Sequence, residues 1–478
     1  MPGTLQSLLQ KISSSAPVQI EGDPDYREPT FLTDDSRKAN EDCIFSATSL
    51  GEKYITSARE RGARVFLIPA SMKLTREFSD CVLIRAENLK SVQGLLASEL
   101  NGNPSQSLHL VGVTGTNGKT STAHMLYHIW KNEGIRPGMI GTLGIKYCDS
   151  DDEEISYSTG YTTPRAGELQ GILKSMKDSG VTHVVLEASS EALFLGRLEG
   201  CLFSASVFIN LTPEHLNFHG DMEEYFRAKM RLFDLTKGRM IVNVSGDYGD
   251  RALEYARGID PDRTVALYKP FVENIPSPVY FNRINASLAV LAHSSDEMRQ
   301  KFAVEALRIL PSIPGRFNIL PFDSKSVGIV DYAHTPDALE NVLKETRGLD
   351  YDKICIVFGC GGDRDTSKRP LMGKIATQYA DFIIVTDDNP RTENPDEIRS
   401  QIVRGMKDPK EFREISDRRL AIRHAAEWLS RQSSPSAVIV AGKGHENYQI
   451  FFDKREEFSD TEVLREEFLQ INEKLAVR

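Results

Sequence analysis

The sequence predicts an α/β protein of three domains, with a P-loop-type parallel sheet at its centre and a Rossmann-like sheet after it. Short apolar runs of strand length alternate with helix-length stretches along most of the chain. Most of those runs end in polar loops bearing glycine or proline, as the strands of a parallel sheet do where they meet a ligand. The glycine-rich stretch VGVTGTNGKTST (111–122) follows one such run and opens a helix-like segment.

Taken in order, residues 1–105 form the first domain. Its opening, MPGTLQSLLQKISSSAP, holds one lysine and no continuous apolar segment, so it predicts a short helix and not a secretion signal, and a cytoplasmic protein. DCIFSA, RVFLIP and CVLIRA then read as strands, and the polar break NGNPSQS (101–107) closes the domain. Residues 106–314 form the second. HLVGVTGTNGKT, MIGTLG, THVVLEASSEA, ASVFINLTPEH and RMIVNVSGD are its strands with their loops, and YFRAKMRLF (225–233) is a helix packed by one face. LPSIPGRFN (310–318) is a linker, and residues 315–478 form the third domain. There VGIVDYAHTP, KICIVFGCGGDRD, DFIIVTDDNPR and AVIVAGKGHE repeat the pattern, so four polar tails should emerge at one sheet edge.

Composition removes several classes. At 478 residues, 40% hydrophobic and 26% charged, with no apolar run near the ~18 residues of a membrane span, the chain is of ordinary globular type. A net charge of −10 argues against general nucleic-acid binding, so any anionic ligand must meet local positive groups. The six cysteines (43, 81, 148, 201, 355, 360) form no CxxC pair, which points to a reducing compartment and no structural zinc. The acidic run CDSDDEE (148–154) lacks the EF-hand spacing and reads as a solvated loop.

In the glycine-rich turn, Gly115 and Gly118 let the backbone curl around phosphate, with Thr116, Asn117 and Ser121 completing the cradle. Lys119 brings positive charge to the β/γ-phosphates, and Thr120 can hold Mg2+. The generic pattern has glycine where Val113 stands, so the match to it is partial. Glu187 ends the apolar run VVL, either as a second metal-holding carboxylate or as a helix-capping or salt-bridged acid. Taken alone, His215 is a loop histidine and Lys229 a solvated helical lysine. Asp331 ends another apolar run, where it can accept from ribose hydroxyls or cap the helix start at Thr335-Pro336.

TGTNGKT resembles the ATP loop of the Mur ligase superfamily, which includes the folylpolyglutamate synthases. YTTP (161–164), LEASSEAL (186–193), NLTPEHLNFHG (210–220), YFRAKMRLF, DYAHTPDAL (331–339), CGGDRDTSKRPLMG (360–373), TDDNPR (386–391) and GKGHENYQ (442–449) are similar to its diaminopimelate-adding members, in order from about residue 34 to the C-terminus. The resemblance implies three-domain Mur ligase architecture. It also implies an ATP-dependent ligase that phosphorylates the D-Glu carboxylate of UDP-N-acetylmuramoyl-L-Ala-D-Glu and lets an amine attack the acyl phosphate, a step in peptidoglycan precursor synthesis. Lys119, Glu187, His215 and Lys229 would be catalytic, and Thr120, Glu187, His215 and a carbamylated Lys229 would hold Mg2+. Asn282, Asn285, Arg316 and Asp331 would complete the ATP site. Ser36 would contact the uridine side, and Thr162, Thr163, Ser189 and Arg197 the muramyl dipeptide. Family members commonly carry His at the position of Glu191 and Gln at that of Leu195, and Leu195 cannot donate a hydrogen bond.

The resemblance implies meso-diaminopimelate as the acceptor, and charge says what its pocket would need. meso-Diaminopimelate is zwitterionic at both ends, whereas L-lysine lacks the distal carboxylate, so a pocket for the former needs a two-pronged donor. Arg391 and Arg364 supply such forks. Asp388, Glu446 and the Gly442 backbone can take ammonium groups, and Pro390 fixes the turn that carries Asn389 and Arg391. Otherwise Arg391 would form a surface pair with Glu393. The resemblance makes DNPR the diaminopimelate signature. A lysine-adding sister ligase is the nearest rival. GCGGDRD lacks the third glycine of a dinucleotide turn, which sets a nicotinamide oxidoreductase aside, and a regulatory ATPase would need no acceptor. The phosphate loop and the amine clamp lie on opposite sides of the PGR linker, so domain closure on ligand binding is expected, in a chain read as a monomer.

Overall fold

The computed structural model describes residues 4–47, 52–246, 248–277 and 279–476. They form two compact units. The first holds residues 1–211, 221–269 and 285–307, and the second residues 212–220, 270–284 and 308–478.

The first unit contains two sheets. Its N-terminal helix Leu5–Ile12 buries Leu5, Leu8, Leu9 and Ile12, one stripe at helical spacing, and Thr4 caps it by accepting from the Ser7 amide at 3.3 Å. The sheet beside it runs in the order Val18–Glu21, Val82–Ala86, Val65–Pro69, Cys43–Ser46, Phe31–Thr33. Only the Val18–Glu21 edge is antiparallel. The two edge strands escape a reading by apolar runs because they are only four and three residues long, and Val18–Glu21 is half exposed as well.

The second sheet of this unit has eight strands. Thr264–Leu267, Thr236–Asn243, Phe203–Phe208, His109–Thr114, His183–Glu187 and Pro137–Gly141 are parallel neighbours in that order. Gly144–Cys148 and Glu154–Tyr157 then extend the edge antiparallel, and the acidic run is the exposed turn between them. Register is what positions the site: Glu187 pairs with Val113 and Phe208 with Thr114, so three strands deliver their polar tails beside the glycine-rich loop.

In the second unit the sheet order is Asn318–Pro321, Val327–Asp331, Ser436–Ala441, Lys353–Phe358, Phe382–Val385, Phe412–Glu414, antiparallel only at Asn318–Pro321. Alternate residues of Lys353–Phe358 serve opposite cores, Ile354, Ile356 and Phe358 on one face and Cys355 and Val357 on the other. A sheet buried on both faces leaves only its edge for ligands. Asp331 pairs with Ala441, Val440 with Val357 and Phe358 with Val385, so the four tails do emerge together. A hairpin of Tyr448–Phe451 and Lys454–Glu457 follows the last of them.

Candidate active site

The glycine-rich loop links the strand His109–Thr114 to the helix Lys119–Asn132. Gly118 sits at φ +89, and a Cβ there would lie 2.5 Å from Asn285 Oδ1, so only glycine fits without displacing that side chain. Asn210, at the end of the neighbouring strand, accepts from the amides of Thr116 and Asn117, both at 3.0 Å, and fixes the curl. Lys119 Nζ lies over its own loop and donates to the Gly115 and Thr116 carbonyls, each at 2.9 Å. Thr120 and Ser121 are buried at the helix start.

Glu187 is the hub of this edge, with 1% of its surface exposed. Thr120 Oγ1 donates to its Oε2 at 3.0 Å, and Thr142 donates to it from both amide and hydroxyl, also at 3.0 Å. It caps no helix; the following helix Ser190–Phe194 is capped by Ser189, which accepts from the Ala192 amide. The residues that the resemblance implies for the dipeptide connect here. Thr142 meets Thr162 at 3.1 Å, Thr163 donates its one hydroxyl proton to the Glu187 carbonyl at 2.6 Å and meets the Ser189 hydroxyl at 3.1 Å, and Arg197 donates to the Thr163 carbonyl at 3.0 Å. Leu195, at the position where family members commonly carry glutamine, is the C-terminal cap residue of the short helix, and the guanidinium of Arg197 stacks over Tyr161 at 5.0 Å. Ser36 is buried in the turn Ser36–Lys38, and Asp34 just before it pairs with Arg165 at 2.8 Å, tying that corner to the YTTP segment.

Lys229 departs from the solvated lysine that its helix position suggests. It lies on the buried face of Met222–Asp234, 1% exposed, donating to the Gly115 carbonyl at 2.8 Å and sitting over the Tyr225 ring. A cation is thereby buried inside the phosphate loop, an expensive place for an ammonium group.

The helix Tyr280–His293 carries Asn285 in the first unit and Asn282 in the second, where Asn282 donates to Ser277 at 2.9 Å. His215 belongs to the second unit. It stands at φ +55 with Nε2 3.7 Å from Glu214 Oε2, and Glu214 also meets His334 at 3.1 Å. Arg316 stacks over Tyr332 at 4.5 Å. Asp331 does not cap Thr335-Pro336; Thr335 caps that helix itself through the Ala338 amide. Asp331 instead accepts from the amides of Phe317 at 2.6 Å and Ala333 at 2.8 Å, and burial pushes its carboxyl up against those two bonds.

At the second unit's sheet edge the two neighbouring aspartates of TDDNPR have different fates. Asp387 is neutralised by the buried Arg399, whereas the carboxylate of Asp388 makes no hydrogen bond or ion pair with any described residue. Asp388 Oδ2 would lie 2.6 Å from a Cβ on Gly442, which sits at φ +113 and must be glycine. Pro390 is buried, and its carbonyl accepts from the Glu393 amide at 3.1 Å. Arg391 is half-buried at φ +53 and donates from Nη1 to the Gly362 carbonyl at 2.8 Å. It makes no pair with Glu393, which is held by Arg369. Arg364 is exposed, with Cγ 3.9 Å from the Cβ position of Gly361, against which Arg391 also packs. Glu446 is less available than its charge suggests, since Lys443 and Asn389 both donate to it, at 3.1 and 2.8 Å.

Sequence reasoning missed the cations that support this edge. Arg418 is fully buried, paired with Asp460 through two 2.7 Å bonds and donating to the Ala441 carbonyl at 2.9 Å. Lys443 and Asn210 stood inside the quoted motifs, but only the fold shows which backbone atoms they hold.

Family comparisons agree with this geometry. Residues 113–320 match the Mur ligase middle domain and residues 315–444 the Mur ligase glutamate ligase domain. A UDP-N-acetylmuramoyl-L-alanyl-D-glutamate--2,6-diaminopimelate ligase from Leptospira borgpetersenii serovar Hardjo-bovis is 39% identical, covering 93% of this chain and 94% of its own. One from Clostridioides difficile is 38% identical, covering 90% and 93%. A solved structure of an enzyme with that name matches with TM-score 0.65 and 28% identity over 99% of this chain and 100% of the other. Two family domains that together span residues 113–444, and relatives more than 30% identical over nearly the whole chain, show that it belongs to the Mur ligase family of ATP-dependent amide-forming ligases.

Proposed function

We propose that the protein joins meso-diaminopimelate to the D-Glu carboxylate of UDP-N-acetylmuramoyl-L-Ala-D-Glu, with ATP cleaved to ADP and phosphate. The observation that carries this reading is Glu187, whose carboxylate binds the phosphate-loop Thr120 while its backbone carbonyl binds Thr163 of the dipeptide side. A substrate carboxylate held by Thr162, Thr163, Ser189 and Arg197 would thus be presented to a nucleotide held by Gly115, Thr116, Asn117, Gly118, Lys119, Thr120 and Ser121. Asn282, Asn285, Arg316 and Asp331 are assigned to the rest of the nucleotide, and Ser36 to the uridine side.

The carboxylate oxygen bonds to the γ-phosphorus and ADP leaves; the unprotonated amine then attacks the acyl carbon, and phosphate leaves as the amide forms. Lys119 is assigned to the transferring phosphoryl charge. Mg2+ suits the mouth of the loop, where the Thr120 hydroxyl and Glu187 carboxylate, both hard oxygens, meet at 3.0 Å. Thr120, Glu187, His215 and Lys229 as its carbamate would hold it. Bound there, Mg2+ offsets the repulsion between the carboxylate and the γ-phosphate. Carbamylation of Lys229 would turn the buried cation beside Gly115 into an anion that suits that role.

For the acceptor, the unpaired Asp388 takes an ammonium group, with Glu446 and the Gly442 backbone beside it. Arg391, with Arg364, takes the distal carboxylate, and Asn389 and Pro390 hold the turn. Residues 1–105, 106–314 and 315–478 are assigned to the UDP-substrate, ATP and amino-acid domains. No helix among the described residues is long and apolar enough to cross a membrane. We place the enzyme in the cytoplasm as a monomer, acting in peptidoglycan precursor synthesis.

Purified protein with UDP-N-acetylmuramoyl-L-Ala-D-Glu, ATP and Mg2+ should release phosphate with meso-diaminopimelate far faster than with L-lysine or no acceptor. Equal release in all three would remove the assignment.

A further inference from the structure

Two loops at the acceptor edge are pressed against each other. The Gly362 amide donates to the Asn389 carbonyl at 2.9 Å, and a Cβ on Gly362 would fall 1.9 Å from the Pro390 carbonyl oxygen. Thr392 donates to Asp363 at 2.7 Å, and the Asp363 amide donates to Glu393. Beneath both loops lies Arg369, from the helix Lys368–Tyr379, with a side chain wholly removed from solvent. Its guanidinium clasps both oxygens of Glu393, at 2.8 and 2.9 Å, and donates to the Gly361 carbonyl at 3.1 Å and to Gln401 at 2.8 Å. One planar fork therefore binds the loop 359–365 by its backbone and the turn 390–393 by its last side chain.

What that turn carries is Arg391, at φ +53, a left-handed conformation that a residue with a Cβ adopts only where its surroundings impose it. The imposing contacts are visible. The Arg391 amide donates to the Ile450 carbonyl at 3.1 Å, its carbonyl accepts from the Phe452 amide at 2.7 Å, and its guanidinium reaches the Gly362 carbonyl. Releasing Glu393 would free one end of this arrangement and let both the turn and Gly362 shift.

We propose that Arg369 is a positioning residue for the acceptor amino acid, aiming the Arg391 guanidinium through its joint grip on Glu393 and the Gly361 carbonyl. Lysine cannot replace it, because an ammonium group has no planar fork to span a carboxylate and a carbonyl together. The inference rests on the acceptor assignment made above.

The test compares the wild type with Arg369→Lys and with Glu393→Gln, which keeps the shape of the side chain and removes its charge. Misplacing a binding group by ~1 Å costs up to about a hundredfold. In both variants the KM for meso-diaminopimelate should rise at least about tenfold. kcat at saturating acceptor and the KM values for ATP and the nucleotide-sugar dipeptide should stay within about twofold. General loss of structure would instead move all three KM values and kcat together. An unchanged meso-diaminopimelate KM in Glu393→Gln, or a parallel change in all substrates, overturns the proposal. A wild type whose phosphate release does not depend on meso-diaminopimelate overturns the acceptor assignment, and this inference with it.

Discussion

Replacing Arg391 by alanine should raise the KM for meso-diaminopimelate by roughly thirty- to 150-fold. Both residues carry a Cβ, so the φ of +53 is equally unfavourable before and after the change, and the difference reports the guanidinium alone. Nη1 is already committed to the Gly362 carbonyl at 2.8 Å, which leaves the other donors of the fork for a ligand carboxylate. Charge-assisted bonds to a desolvated carboxylate span about 2–5 kcal/mol, and half-burial of Arg391 keeps the value near the lower end, about 2–3 kcal/mol. At about 1.4 kcal/mol per tenfold, that gives the stated range. The assay is phosphate release at saturating ATP and nucleotide-sugar dipeptide while meso-diaminopimelate is varied. ATP affinity should not move. An unchanged meso-diaminopimelate KM would refute the reasoning.

Three further outcomes are expected. Incubation with 13C-bicarbonate should give a carbamate carbon resonance that Lys229→Met lacks, together with loss of ligase turnover; a resonance that persists in the variant would exclude Lys229 as its source. Arg418→Met leaves Asp460 buried and unpaired and should lower stability by about 3–5 kcal/mol in urea unfolding, whereas a loss below about 1 kcal/mol would show that the pair is dispensable. Burial holds the His109, His183 and His293 imidazoles down to about 4, below the usual 6.5. Between those values the unfolded chain binds more protons than the folded one, so stability should fall as pH drops from about 6.5 toward 4. His293, 3.5 Å from Glu133 and without a hydrogen bond from either ring nitrogen to any described residue, is the one to remove. In His293→Leu the acid slope should flatten by up to about 1.4 kcal/mol per pH unit, and an unchanged slope would rule His293 out.

Local chemistry was legible wherever a motif is a single backbone event. VGVTGTNGKTST could be placed as strand, turn and helix because Gly118 needs a left-handed backbone and the lysine and threonine follow it directly. The four polar tails of the C-terminal half could be gathered at one edge because parallel strands share a direction, and the register of Asp331 with Ala441 and Phe358 with Val385 does gather them. The short edge strands Val18–Glu21 and Phe31–Thr33 were not legible, since three or four residues are too few to show a period.

Charge pairing lay beyond the sequence. Arg391 and Glu393 are two residues apart, yet the structure gives Glu393 to Arg369, twenty-four positions earlier. Asp387 and Asp388 are adjacent, chemically identical and equally buried, yet Arg399 neutralises the first, while the carboxylate of the second has no ion pair among the described residues. Lys229 looked like a surface residue until its helix turned it onto Gly115. The sequence by itself determined the residue types, the turns and the strand order within each motif, because these depend on neighbours along the chain. Tertiary structure alone decided which charges are spent on each other and which remain for a ligand, because burial and distance are set by elements that meet only after folding.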